Sequence, residues 1–208
     1  GKNTYQFFSE EMNNKIQDKI KLENRLRKAL TNKEFIMYYQ PQYDIKTNKI
    51  YGVESLIRWK DPEEGLKTPD TFINIAKESG LIELLAPVLL GKDIGKWIIN
   101  TVCEQIRKWV DKGIIISQEK NDTNIQSVSI NISKNQYTKH NLIEVLENAI
   151  QKYNLKPEYL TLEFSQSEIM KDFENTSNNI KRLKEKGFKI SIDDFGEHCL
   201  SLKYLKEQ

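Results

Sequence analysis

The sequence predicts an α/β fold in which successive βα units build a parallel sheet that closes as a barrel, with an antiparallel strand pair ahead of them. Three runs carry that expectation. Val128 to Ser133, Leu160 to Ser165 and Lys189 to Asp193 each alternate apolar with polar residues, the period of a strand. Their equivalent polar positions Asn131, Glu163 and Asp193 are 32 and 30 residues apart, the length of a strand, a helix and a return. Helix-spaced apolar residues fill both intervals.

The alternation has two readings. In a sheet with one wet face, Asn131, Glu163 and Asp193 would be ordinary surface residues. In a closed barrel the aliphatic set faces the helices, and the Ser, Thr, Asn, Glu and Asp set lines the interior. Acids gathered there could not all stay ionised without cations.

At 208 residues and 38% hydrophobic content, the chain can bury one substantial core. No apolar run approaches the length of a membrane span, and the first residues lack the order of a signal peptide. The formal charge of +2 comes from mixed acids and bases, which argues against a nucleic-acid polymer as partner. A small anionic ligand is compatible. Cys103 and Cys199 have no paired spacing, which fits a reducing cytoplasm. With His140 and His198 as the only histidines, a histidine-built zinc site is disfavoured, and any metal should be held by oxygens.

Taken in order, Tyr5 to Phe8 reads as a strand end, and Ser9 offers a cap to an acidic first turn. Met12, Ile16, Ile20, Leu22, Leu26 and Leu30 form a drifting apolar stripe, so residues 1–31 are expected to be a linker helix from an upstream domain, or else a frayed arm. Phe35 to Tyr43 is a strand whose Pro41 suits an edge. After the turn at Asp44 to Lys49, Ile50 to Trp59 is the second strand of a hairpin, with Glu54, Leu56 and Arg58 on one face. Those three could serve a metal, a base and a phosphate, or could be a solvated face with a surface ion pair.

Thr68-Pro69-Asp70 opens a helix that Gly80 closes. Leu81 to Gly95, split by Pro87, reads as a loop with a short helical piece. Trp97 to Lys112 is a helix ended by Gly113, and its tryptophans read as core. Gln118 to Gln126 is a surface loop. Leu142 to Tyr153 and the segment carrying Ile180 and Leu183 are helices between the three alternating strands, the second ended by Gly187. The last strand runs into Asp193-Asp194-Phe195-Gly196, where two carboxylates at a strand end could share or divide metal ions; the alternative is an Asp-rich turn.

These residues resemble the EAL domains that act on the bacterial second messenger cyclic di-GMP. Tyr39-Gln40-Pro41, Val53 to Trp59, Ser79 to Ile82, Ser129 to Ser133, Leu162 to Ser165 and Ile192 to Gly196 fall in the family's order and span nearly the whole chain. The resemblance implies a modified TIM-type barrel with an antiparallel first strand pair, occupying residues 32–208 and lacking its last strands. It implies Mg²⁺ or Mn²⁺ at the strand mouths, with Glu54, Asn131, Glu163 and Asp193 holding a first ion and Asp193 and Asp194 a second with its water. Glu54, Asp193 and Asp194 would be catalytic. Gln40, Leu56 and Arg58 would contact the cyclic dinucleotide. The N-terminal helix resembles the junction with a GGDEF domain in the same parent chain, and a homodimer is a possible further partner.

Four positions depart from the family pattern. Ser55 stands where Ala is usual, Gln166 replaces a second Glu, Glu197-His198-Cys199 replaces Thr-Gly-Tyr, and Glu83 to Gly91 is inserted. The intact ligand set argues for a phosphodiesterase yielding linear pGpG, whereas Gln166 and the altered loop argue for an inactive cyclic di-GMP receptor or regulatory module. A third reading is an unrelated metal-dependent barrel hydrolase, in which Arg58 has no special task.

Overall fold

The structure, a computed structural model, describes residues 32–72, 94–115, 125–132, 142–171 and 173–193, with several helical positions between 17 and 29. The expected strand at Tyr5 to Phe8, the Ser79 to Ile82 motif, the insertion at Glu83 to Gly91, both histidines, Ser133, Asp194 and the loop at Glu197 to Cys199 lie outside the described residues.

One sheet of six strands forms, in the order β1 (Phe35–Tyr43), β2 (Ile50–Asp61), β4 (Ser127–Asn131), β5 (Leu160–Ser165) and β6 (Lys189–Asp193), with β3 (Gly65–Lys67) pairing antiparallel to the end of β2. The pairs β2 with β4, β4 with β5 and β5 with β6 are all parallel. β1 and β2 neighbour each other across residues 44–49, too short a connection for a parallel crossover, so they are an antiparallel hairpin. Pro41 sits on β1, at the end of the strand order among the described residues, as its sequence position suggested. The helices are α1 (Ile94–Asp111), α2 (Leu142–Lys152), α3 (Gln166–Lys171) and α4 (Phe173–Glu185). Among the described residues none is long and apolar enough to cross a membrane.

Contacts divide the chain into two units, Gly1–Ile36 with Ile57–Ile94, and Met37–Leu56 with Gly95–Gln208. In the second, Val128, Ile130, Leu160, Leu162 and Phe164 point from β4 and β5 into a core closed by Val102 and Ile106 of α1, Leu146 of α2, and Ile180 and Leu183 of α4. Each is almost fully buried, a contribution of about 1.5–3 kcal/mol per side chain. Ser127 and Ser129, on the opposite face of β4, are buried as well, so this part of the sheet has no wet face. The interior reading of the alternation therefore holds for Ser127 and Ser129, while Asn131 at the end of β4 is exposed.

Gly113 and Gly187 end α1 and α4 with φ of 67° and 89°, the left-handed region that closes a helix without a Cβ clash. α1 begins at Ile94, earlier than the expected Trp97. Gly95 reads as a breaker in sequence, but the first turn of a helix has no intrahelical N–H bond to lose.

In the first unit, the rings of Phe35, Trp59 and Phe72 pack at centroid distances of 5.6 to 6.2 Å. The Trp59 indole N–H donates to Glu34 Oε2 at 2.9 Å. β2 extends to Asp61, past the expected end at Trp59, because β3 folds back on residues 59–61.

Candidate functional site

Strand register sets the height of each candidate ligand. Glu54 is level with Ser129 on β4, and Ser129 with Thr161 on β5. Asn131 is level with Glu163, and Glu163 with Ser191 on β6, leaving Asp193 level with Ser165. From β2 to β6 the polar residues therefore climb as a staircase, up two residues, level, then up two again. Such a climb offsets the stagger that strands acquire when a sheet curls toward a barrel. All four keep the parity of one sheet face.

Neighbouring steps of the staircase make contact. Asn131 Nδ2 donates to Glu54 Oε1 at 2.7 Å. The amide oxygen of Asn131, the atom that could ligate a cation, is the other end of that group. Below them the interior is polar: Thr161 Oγ1 donates to Ser127 Oγ at 2.9 Å. On the opposite face of β2, level with the core residue Ile130, Ser55 Oγ donates to the Ser129 carbonyl at 2.6 Å. Ser55, which stands where the family pattern has Ala, thus makes a buried bond that Ala could not make.

Glu163 is the buried member at 9% exposure, while Glu54 is half-buried and Asn131 and Asp193 are exposed. Burial pushes the Glu163 carboxyl up from its usual range, and the charges of Glu54 and Asp193 add to the rise. Hydrogen bonds with Ser129 and Gln42 oppose it. Sequence reasoning missed both partners, although Gln42 shares the parity of Gln40 on β1 and Ser129 that of Asn131 on β4. Gly52 leaves the room for Gln42, since a Cβ there would stand 2.9 Å from Gln42 Oε1.

The donor set fits a hard divalent cation in its chemistry: oxygens only, borne on adjacent strands, around a carboxylate whose charge is disfavoured by burial and by its neighbours. Among the described residues, no group of three or more His, Cys, Asp or Glu is gathered to hold a metal ion, and Asp194 lies outside them.

The expected nucleotide contacts are spread along the hairpin. Gln40 is exposed on β1, and Leu56 and Arg58 are half-buried on β2. Arg58 belongs to the first unit, where its Nη1 donates to the Ile57 carbonyl at 2.9 Å. Gln166 opens α3 directly after β5 and is 1% exposed. Cys103 is also buried in α1, away from reagents.

A family model described as the EAL domain matches residues 23–208. The chain is 38% identical over 206 residues to signaling protein YkoW of Bacillus subtilis, covering 99% of this chain and 23% of that protein. It is 35% identical over 206 residues to the bifunctional diguanylate cyclase/cyclic di-GMP phosphodiesterase MucR of Pseudomonas aeruginosa, covering 99% of this chain and 27% of that protein. The chain thus spans about a quarter of the length of these relatives. Among solved structures, the PaMucR phosphodiesterase in complex with c-di-GMP superimposes with a TM-score of 0.74 at 33% identity, over 89% of this chain and 68% of that one. The EAL enzyme Bd1971, in its cAMP- and cyclic-di-GMP-bound form, does so at 0.75 and 33% identity, over 93% and 49%.

Proposed function

The chain belongs to the EAL domain family, with the modified TIM-type α/β fold of that family, and from this membership we propose that it is a metal-dependent phosphodiesterase that opens cyclic di-GMP to linear pGpG. The observation that carries the reading is the staircase of oxygen donors, with Asn131 bonded to Glu54 and Glu163 crowded by the charges of Glu54 and Asp193. Residues 1–31 are read as a linker helix from an upstream GGDEF domain and residues 32–208 as the EAL domain, working in the cytoplasm. A relative that pairs a diguanylate cyclase with a phosphodiesterase supports such a domain in the same parent chain.

In this reading Glu54, Asn131, Glu163, Asp193 and Asp194 would hold Mg²⁺ or Mn²⁺. Bound there, such ions neutralise phosphate charge and acidify water. Arg58 pairs with a phosphate oxygen of the substrate, and Gln40 and Leu56 fix the nucleotide on the hairpin. Asp193 and Asp194 orient the attacking water by accepting its hydrogen bonds. The water oxygen bonds to phosphorus and gives up a proton as one P–O3′ bond breaks, and the 3′ oxygen takes up a proton in its place, so that one water is consumed. One ring bond is hydrolysed, so the product is the linear dinucleotide.

A second reading, a cyclic di-GMP receptor without turnover, is favoured by Gln166, a buried neutral amide where the family pattern has a carboxylate. One experiment separates the two. The full-length protein is incubated with cyclic di-GMP and Mn²⁺ or Mg²⁺, with and without chelator, and the products are resolved by chromatography. Chelator-sensitive formation of pGpG, lost in Glu54→Ala, is expected. Intact substrate from a folded protein that binds the nucleotide overturns the phosphodiesterase in favour of the receptor.

A further inference from the structure

The last three residues of β2 are fastened to the segment that precedes β1. Lys60 N donates to the Glu34 carbonyl at 2.8 Å, and the Trp59 indole donates to the Glu34 carboxylate at 2.9 Å. Asp61, whose side chain is fully buried, faces Arg25 Nη1 at 3.4 Å. The same guanidinium donates to Glu63 Oε2 at 2.8 Å and to Glu64 Oε1.

Asp61 also makes the turn that follows it, since its Oδ1 accepts the backbone N–H of Glu63 at 2.8 Å and of Glu64 at 3.2 Å. That turn returns the chain as β3, which pairs with residues 59–61. Among the described residues Asp61 Oδ2 has no hydrogen-bond partner, and the cation facing this buried carboxylate is Arg25. Without it, a buried charge loses the partner that compensates it, which is strongly unfavourable. Relief by movement of Asp61 shifts the end of β2 and the turn it holds.

Arg58 is the residue immediately before this fastened end. We propose that Arg25, on the helix before the barrel, is a positioning residue for Arg58: through Asp61 it fixes the end of β2 and so the place where the Arg58 guanidinium meets substrate phosphate. The inference rests on the reading above, in which Arg58 contacts a phosphate of cyclic di-GMP. It gives the linker helix a role in substrate affinity, because a displacement of that helix moves Arg25 relative to Asp61.

The test measures cyclic di-GMP hydrolysis by the full-length protein over a range of substrate concentrations, with calorimetric binding of cyclic di-GMP in parallel. Arg58→Ala is the reference and should raise KM and Kd. Arg25→Met should raise both in the same direction, by roughly tenfold, with kcat changed less than twofold, because misplacing a charge-assisted contact weakens binding steeply. Arg25→Lys should fall between Arg25→Met and the parent. Arg25→Met combined with Asp61→Asn should recover affinity, since the buried charge is gone. A loss of thermal stability with unchanged KM and Kd would make Arg25 a structural residue and overturn the proposal. A parent protein that neither hydrolyses nor binds cyclic di-GMP, or an Arg58→Ala variant that binds as the parent does, would overturn the function on which it stands.

Discussion

Asn131 and Glu54, 77 residues apart in the chain, meet through a hydrogen bond of 2.7 Å between neighbouring parallel strands. The register places Glu54 opposite Ser129, so the bond runs diagonally, one side-chain step up the sheet. The contact holds a carboxylate and an amide together on the face that also carries Glu163.

Replacing Glu54 should therefore separate function from folding. In Glu54→Gln, turnover of cyclic di-GMP should fall by about a hundredfold or more, as for loss of a group acting on the reacting centre. Stability should change by no more than about 1 kcal/mol, since the side chain is half-buried and a neutral amide still bonds to Asn131. Product assays beside thermal melts of the full-length protein check this, and turnover retained in the variant would exclude Glu54 from the site.

The raised Glu163 carboxyl makes a signed prediction. A carboxyl whose folded pKa lies above its unfolded value, about 4.3, stabilises the fold below that value and loses the contribution as pH rises through the folded pKa. With metal removed, Glu163→Gln should thus be more favourable to stability at neutral pH than near pH 4. Saturating Mn²⁺ should reverse the order at neutral pH, because the ionised parent then has a cation to bind. Denaturant melts of both proteins at the two pH values, with and without metal, measure the difference, and a pH-independent gap would contradict the burial argument.

Cys103 is fully buried, and burial pushes its thiol up to about 12. At pH 8 the native protein should alkylate at Cys103 at least a hundredfold more slowly than the same protein in denaturant, because the thiolate is the reactive form. Peptide mass mapping distinguishes it from Cys199. Equal rates would mean that α1 is not packed as described.

Gly52 is a test of packing around the interior. Adding a Cβ would place it 2.9 Å from Gln42 Oε1 and 3.3 Å from the Ser127 carbonyl. Gly52→Ala should cost about 1–3 kcal/mol. Part of that cost should vanish in a Gln42→Ala background, where the nearer atom is gone. Denaturant melts of the two single variants and the double variant give the coupling, and strict additivity would show that Gln42 does not lie over Gly52.

A contrasting cost is expected behind the sheet. Leu162→Ala should destabilise by about 2–5 kcal/mol, since Leu162 is fully buried in the core formed with α2 and α4. A loss under 1 kcal/mol in the same melts would place it outside the core.

Much of the fold was legible because its signals are local. The alternation in Leu160 to Ser165 states which residues share a face, and the spacing of Ile98, Val102 and Ile106 states which side of α1 is apolar. Gly113 and Gly187 mark helix ends through a backbone property of a single residue. The short strand β3 was missed because Gly65-Leu66-Lys67 has no periodicity of its own and is a strand only by pairing with β2. The helix α3 was missed for a related reason: its six residues directly continue β5 and are too short for a helical stripe to show.

The sequence by itself determined the order of βα units, the oxygen character of the candidate ligands and, through six ordered motifs, the family. Tertiary structure alone decided which of those ligands touch, how deeply each is buried, and what fastens the strand that carries Arg58. Asn131 reaches Glu54, Glu163 is buried beside two like charges, and Arg25 balances Asp61 because register and chain crossing bring distant residues together. Residue type and periodicity are properties of neighbours along the chain, whereas burial, charge crowding and hydrogen-bond partners are properties of neighbours in space.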